Sequence, residues 1–481
     1  MATNAASEPS TARSGGLAGA ILDRASDALL GRIARQATLD LLAQWRIGRI
    51  TVHLPEGDVL TAGPPDAEQH ATLRIRNAAF FRKLALHGPL WIGESYMDGD
   101  WWADDLARFI ELAIRNQNGL SGPAWLSQLG NLPNTLRHRT RPNTRTGARR
   151  NIRAHYDLSN DLFALFLDET MAYSSAIFEQ PEQSLRDAQA NKFAMLARKL
   201  RLGPTDHVLE IGCGWGGFAI FAAATYGCRV TGITLSEEQQ RLAAERVRSA
   251  GLQSLIDIQL SDYREVGGSF TKIVSIEMLE AVGQEYWGEF FGTCDRHLAA
   301  GGLMGLQVIT VADRDFAAHA GQSHWVQKYI FPGALLPSLL ELSRAMSDAS
   351  QFGVYHLEDI GQHYATTLER WRTAFNSQLG RVRGLGFDER FIRMWDFYLA
   401  ACQARFETRT QHALQLVLAR PGARSRSYQA AIGRTSTHFP SRPLRMIASM
   451  TRILATASSS GVGTGVLSMM AREKASPWSV Y

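Results

Sequence analysis

Four glycines fall within six consecutive positions, Gly212 to Gly217, directly after the apolar run "HVLEI". Glycine loses more backbone freedom on folding than any other residue, so such a cluster marks a place where something approaches the main chain closely. The segments around it alternate. "HVLEIG" reads as a buried strand and "GGFAIFAAATYG" as a helix closing on Gly227. "CRVTGITLS" is a second strand, and "EEQQRLAAERVRSAG" a helix with acids at its start, arginines late and glycine at its end. "LIDIQLSDY" and "TKIVSIEMLE" add strands, "YWGEFFGTCDRHLAAGG" a helix with a glycine stop, and "LMGLQVIT" a further strand. Strand–helix alternation of this kind predicts an α/β fold, a parallel-type sheet with helices on both faces, whose ligands sit beyond the carboxyl ends of the strands.

Two ligand classes suit the loop. Gly212, Gly214 and Gly217 satisfy GxGxxG, the dinucleotide fingerprint. Glu210, two residues before the first glycine, and Gly216 extend the pattern to E-x-G-x-G-x-G. A pyrophosphate wants bare amides and is poorly served by a neighbouring acid. A ligand with a cationic centre, such as the amino acid part of S-adenosylmethionine, accepts that acid. Thr234 ends the second strand where a dinucleotide enzyme would carry an acid, but Glu237 and Glu238 follow within a turn and leave that criterion ambiguous. "SDY" (Ser261 to Tyr263) is placed to meet an adenine. The balance favours S-adenosylmethionine.

At 481 residues the chain has room for two or three domains. Residues 1–16 are polar and small, read as disordered and without the apolar core of a secretion signal. Leu17 to Arg35 carries apolar residues at helical spacing, and "RITVHLPEGDVLTAG" reads as a hairpin turning at Pro55 to Asp58. Residues 17–125 are therefore expected to form a small α+β domain. Seven arginines lie between Arg137 and Arg153, with few acids; residues 126–153 read as a basic linker, either solvated or contacting the phosphates of nucleic acid or anionic lipid. Four cysteines without a CxxC pair suggest a reducing, cytoplasmic setting and no metal site. No run reaches the ~20 apolar residues of a membrane span, so any work on membranes is expected from their surface, at the inner face.

Several further motifs, "NIRAHYDLSNDLFALFLDETMAYSSAIF", "VLEIGCGWGGFA", "GITLSEEQ", "SIEMLEAVGQEYW", "KYIFPGALLPS" and "HYATTLERW", together make the chain resemble the cyclopropane-fatty-acyl-phospholipid synthases and mycolic acid cyclopropane synthases. The resemblance spans about Arg49 to Arg420. It implies a Rossmann-like class I methyltransferase domain over 154–420, with a helical cover on the lipid side formed by Asp313 to Ser343. It implies methyl transfer from S-adenosylmethionine to the double bond of an unsaturated acyl chain, often in a phospholipid, giving a cyclopropane. Tyr173, Ser174, Gly212, Gly214, Thr234, Leu235 and Gln239 are then expected to hold the cofactor, with Asp262 and Tyr263 near adenine and Glu277 beside the methionine part. Glu280 and Tyr364 by side chain, and Ile309 by backbone, would surround a bound bicarbonate that serves as the base. The N-terminal domain, with "WIGESYMDGDWW", would help engage lipid.

Alkene methylation leaves a carbocation, which aromatic faces stabilise without reacting. Tyr173, Phe178, Trp325, Tyr329, Phe331, Tyr364 and Trp371 are the aromatics on offer, two or three of them for that role and the rest for the core. Two positions depart from the family pattern: Ser175 stands where the family has cysteine, and Gln307 where it has histidine. Both can hydrogen-bond an anion, yet the change leaves a methylene or methyl-branched product as an alternative to cyclopropane. A non-catalytic lipid-binding relative is a further alternative. Nucleic acid is not an expected partner, because "IEML" replaces a base-pocket motif after the fourth strand; a homodimer is left open. Residues 421–481, rich in Ser, Arg and Gly, read as a weakly ordered tail.

Overall fold

The computed structural model describes residues 31–87, 90–117, 159–322 and 324–423. Residues 1–16, the helix of Leu17 to Arg35 before residue 31, the linker over 126–153 and the tail beyond 423 lie outside them. The chain forms two compact units that interleave along the sequence. One gathers described residues of Met1–Pro142, Val311–Ala334 and Leu368–His412, and the other those of Asn143–Thr310, Leu335–Thr367 and Ala413–Tyr481. The linear reading drew 154–420 as one segment; the structure takes 311–334 and 368–412 out of it.

The first unit is α+β. Strands β1 (Arg49–His53) and β2 (Val59–Ala62) are the expected antiparallel hairpin, closed by the Leu54 amide donating to the Asp58 carbonyl at 2.8 Å. Strand β3 (His70–Ile75) adds in parallel and β4 (Trp101–Ala103) antiparallel, giving the order β2-β1-β3-β4. The helix Leu106–Asn116 starts at Asp105, whose carboxylate accepts the Arg108 amide. The first part of the expected helical cover belongs here, as helices Asp313–Gly321 and Trp325–Tyr329. Trp325 packs against Phe397 and Tyr329 at 4.9 and 5.2 Å between ring centres, and the Tyr329 hydroxyl donates to Glu94 at 2.8 Å. These contacts give both rings a packing role inside this unit.

The second unit holds a seven-stranded sheet in the order β10-β11-β9-β8-β5-β6-β7. Its strands are β5 (His207–Ile211), β6 (Arg229–Thr234), β7 (Ile256–Leu260), β8 (Phe270–Ile276), β9 (Leu298–Val311), β10 (Gly353–Asp359) and β11 (Gln411–Ala419). Neighbours β5 through β9 run parallel, and β10 pairs antiparallel with β11, so the sheet is Rossmann-like as expected. Helices α1 (Leu185–Leu200), α2 (Gly217–Tyr226) and α3 (Glu237–Ser249) follow the expected alternation. Apolar residues of β5, β6 and α2 join Phe193, Leu196 and Leu200 of α1 in one buried core. "LAAGG", read as the end of a helix, instead opens β9: Leu298 pairs with Phe270 across a bulge. Strands β10 and β11 were not foreseen. The chain leaves β5 for β6 and β7 on one side, then crosses to β8 on the other. The carboxyl end of β5 is therefore the switch point where such sheets open a crevice.

Candidate active site

The glycine loop lies at that switch point. Gly212, Gly214 and Gly216 all have positive φ, at 81°, 53° and 80°. The amides of Gly212 and Cys213 both donate to the Ile233 carbonyl of β6, which turns the chain sharply off the strand. A Cβ at Gly212 would sit 2.7 Å from the Met278 side chain, and one at Gly217 2.7 Å from the Thr170 carbonyl oxygen. A Cβ at Gly214 would meet no atom within 4 Å, because that face of the loop opens into a cleft. The cleft contains about 960 Å³ of unfilled space, its open solvent mouth included.

Of the residues expected to hold the cofactor, Tyr173, Ser174, Glu210, Gly212, Gly214, Thr234, Leu235, Gln239, Tyr263 and Glu277 line this cleft. Gly216 caps α2 behind it. Asp262 is buried, and both of its oxygens receive the Arg264 guanidinium, at 2.8 and 2.7 Å. Phe163 holds Tyr173 and Trp215 in place, with ring centres 5.2 and 4.9 Å away, and the Trp215 indole donates to Asn160 at 2.7 Å. Thr234 Oγ1 and Gln239 Oε1 are 2.8 Å apart at the end of β6. One oxygen of Glu210 is buried without a hydrogen-bond partner, and burial pushes its pKa up to about 8. That oxygen lies beside the open glycine turn, where a cationic ligand group would lower the Glu210 pKa again and take up its free acceptor.

The five residues expected around a bound anion converge on carboxylates. Glu277 follows β8 with φ of 50°, a left-handed conformation unusual for glutamate, held by its amide donating to the Gln307 carbonyl at 2.7 Å. Its Oε1 accepts from the Ser175 amide at 3.0 Å and from Gln307 Nε2 at 2.7 Å, and its Oε2 accepts from the Tyr364 hydroxyl at 2.6 Å. Ser175 thus contributes its backbone; its hydroxyl donates to the Ala176 carbonyl instead. Glu280 Oε1 accepts the Ile309 amide at 2.5 Å, while its Oε2 is buried without a partner. The donors expected to bind bicarbonate are therefore already taken by Glu277 and Glu280, and the set does not fit a further anion. Burial and the neighbouring Glu277 charge push Glu280 up to about 8. Burial also raises Glu277, opposed by its three donors and Lys192. The two carboxyl groups are coupled, and the one with three donors and Lys192 around it, Glu277, is the better placed to carry the negative charge.

Lys192 on α1 was missed. It is fully buried, donates to Ser174 Oγ at 2.6 Å and carries the charge facing Glu277, Asp168 and Glu210; burial lowers its pKa to about 8. Its signal was a lysine one and four residues from buried Phe193, Ala188 and Leu196, where a solvated side chain does not belong. Lys199, one and three residues from buried Leu200 and Leu196, carried the same signal, whereas Gln415, which reaches the site through Gln307, left none.

The model of the family described as mycolic acid cyclopropane synthetase matches residues 143–416. The chain is 38% identical over 392 residues to the tuberculostearic acid methyltransferase of Mycobacterium tuberculosis, covering 79% of this chain and 91% of that protein. It is 35% identical over 362 residues to the cyclopropane-fatty-acyl-phospholipid synthase of Escherichia coli, covering 73% and 88%. The crystal structure of a mycolic acid cyclopropane synthase complexed with SAH and CTAB superposes with a TM-score of 0.53 at 31% identity, over 56% of this chain and 97% of that one. With its sheet, its cleft and these likenesses, the chain belongs to the mycolic acid cyclopropane synthetase family, S-adenosylmethionine-dependent enzymes that methylate or cyclopropanate fatty acyl chains.

Proposed function

We propose that this protein methylates the double bond of an unsaturated acyl chain in a phospholipid, reached from the membrane surface, and yields a methylene-branched chain. The observation that carries this reading is the carboxylate of Glu277, seated among the donors where a separate anionic base was expected. S-adenosylmethionine supplies the methyl group from its sulfonium and leaves as S-adenosylhomocysteine. Glu210 and the bare turn at Gly212 and Gly214 would hold it, with Thr234, Gln239 and Tyr263 towards its nucleoside. The alkene π pair forms the new carbon–carbon bond and leaves a cation on the adjacent carbon. A hydride shift from the methylated carbon moves the cation there. Glu277 then takes a proton from the new methyl group, and the C–H pair becomes the double bond of a methylene branch. Three donors on two oxygens leave Glu277 a lone pair for that proton, and burial keeps water from quenching the cation.

A second reading is the cyclopropane. If the proton leaves before the hydride moves, the same C–H pair closes a ring on the cation. The relative from Escherichia coli and the family description favour it, whereas the Mycobacterium relative is named a methyltransferase. Incubation with labelled S-adenosylmethionine and vesicles of monounsaturated phospholipid, followed by gas chromatography and mass spectrometry of the released acids, separates the two. The methylene isomer is expected. Label in a cyclopropane transfers the assignment to the second reading, and absence of label from acyl chains rejects both.

A further inference from the structure

We infer that Lys199, acting through Gln415, sets the direction of the Gln307 amide and thereby keeps Glu277 ionised. This positioning role rests on the reading that Glu277 takes the proton. The four side chains form one chain of hydrogen bonds across the sheet. Lys199, in the last turn of α1, donates to Gln415 Oε1 at 2.8 Å; Gln415 Nε2, on β11, donates to Gln307 Oε1 at 2.9 Å; Gln307 Nε2, on β9, donates to Glu277 at 2.7 Å. Gln307 and Gln415 have no exposed surface, and Lys199 is 6% exposed.

The two ends dictate the middle. An ammonium has only donors and an ionised carboxylate only acceptors, while each amide carries one of each kind and can be turned over. With both amides turned over, Gln415 would point its NH₂ at the ammonium and Gln307 its carbonyl at Glu277. That arrangement has a donor against a donor at one end and an acceptor against an acceptor at the other, in a place no water reaches. Only the observed polarity satisfies every group, and in it each bond polarises the next towards Glu277. Burial lowers the Lys199 pKa, and Glu358 of β10, partly exposed and 2.5 Å away on the far side, opposes that shift and favours the ammonium. Around Lys199 stand also Arg198 and His356; around Glu277 stand Lys192, Glu280 and Tyr364. Replacing Lys199 or Gln415 removes none of these groups facing Glu277.

The test is the pH dependence of kcat for methyl transfer to monounsaturated phospholipid vesicles, in Lys199→Met, Gln415→Met, their combination and Lys199→Arg, with Glu277→Gln alongside. In both single variants the acid limb should move up by about one pH unit, the worth of one hydrogen bond to a carboxylate, with unchanged affinity for S-adenosylmethionine. The combined variant should shift no further than Gln415→Met, because the two residues act in series. Lys199→Arg should restore the wild-type limb. An unmoved limb, an equal loss at every pH or additive shifts would overturn the relay; should one single variant fail to fold by circular dichroism, the other reads the same shift. Turnover surviving in Glu277→Gln rejects the base assignment instead. Inactive Glu277→Gln together with unmoved limbs rejects the relay alone.

Discussion

The Tyr364 hydroxyl donates to Glu277 Oε2 at 2.6 Å, joining two residues 87 positions apart in the chain. The bond fixes the carboxylate from one side while Gln307 and the Ser175 amide fix it from the other. Glu277→Gln should lower kcat by at least about a hundredfold, the usual worth of a positioned base, and leave binding of S-adenosylmethionine within a few-fold. Tyr364→Phe removes one charge-assisted hydrogen bond and should cost about tenfold to a hundredfold in kcat. Single-turnover rates together with calorimetric titration of the cofactor check both.

Glu280 makes stability depend on pH. In the folded protein its pKa is pushed up to about 8 from an ordinary 4.5, so between those values the folded state holds a proton that the unfolded chain releases. Its contribution to stability is therefore largest at low pH, declines as pH rises from about 4.5 to about 8, and levels off above. Glu280→Gln cannot ionise and should escape that decline. Relative to wild type it should gain about 4 kcal/mol between pH 5 and pH 8.5, measured by urea unfolding at both values. A constant difference would show that Glu280 is ionised throughout.

Gly214→Val should abolish cofactor binding. The position has φ of 53°, and the added side chain would project into the cleft, where nothing but ligand space lies within 4 Å. Calorimetric titration with S-adenosylmethionine should give no heat, with the far-ultraviolet circular dichroism spectrum unchanged.

Lys192→Met should destabilise the fold by roughly 3–5 kcal/mol at pH 7.5, since it leaves Glu277, Asp168 and Glu210 without the ammonium they face. The defect should shrink as the pH falls towards 5, because Glu210, pushed up to about 8, is then neutral and the raised pKa values of Glu277 and Asp168 bring them nearer to taking up a proton. Urea unfolding of wild type and variant at the two pH values reads the difference. A defect independent of pH would mark lost packing as its cause.

The sequence determined on its own the parts that depend on neighbours along the chain. The glycine turn, the strand–helix alternation and the helix end at Gly227 follow from local backbone freedom and hydrogen bonding, and the motifs around them name the cofactor and the kind of substrate. Glu280, Tyr364 and Gln307 were legible too, through the family pattern. What only the tertiary structure decided is how these groups share their hydrogen bonds. That Glu277 fills the expected anion site and that Lys199 reaches Gln307 through Gln415 both depend on which strands lie adjacent. Strand order is set by the burial of whole faces and not by any local signal. Donors and acceptors far apart in the chain are matched only once the sheet has brought them out of water together.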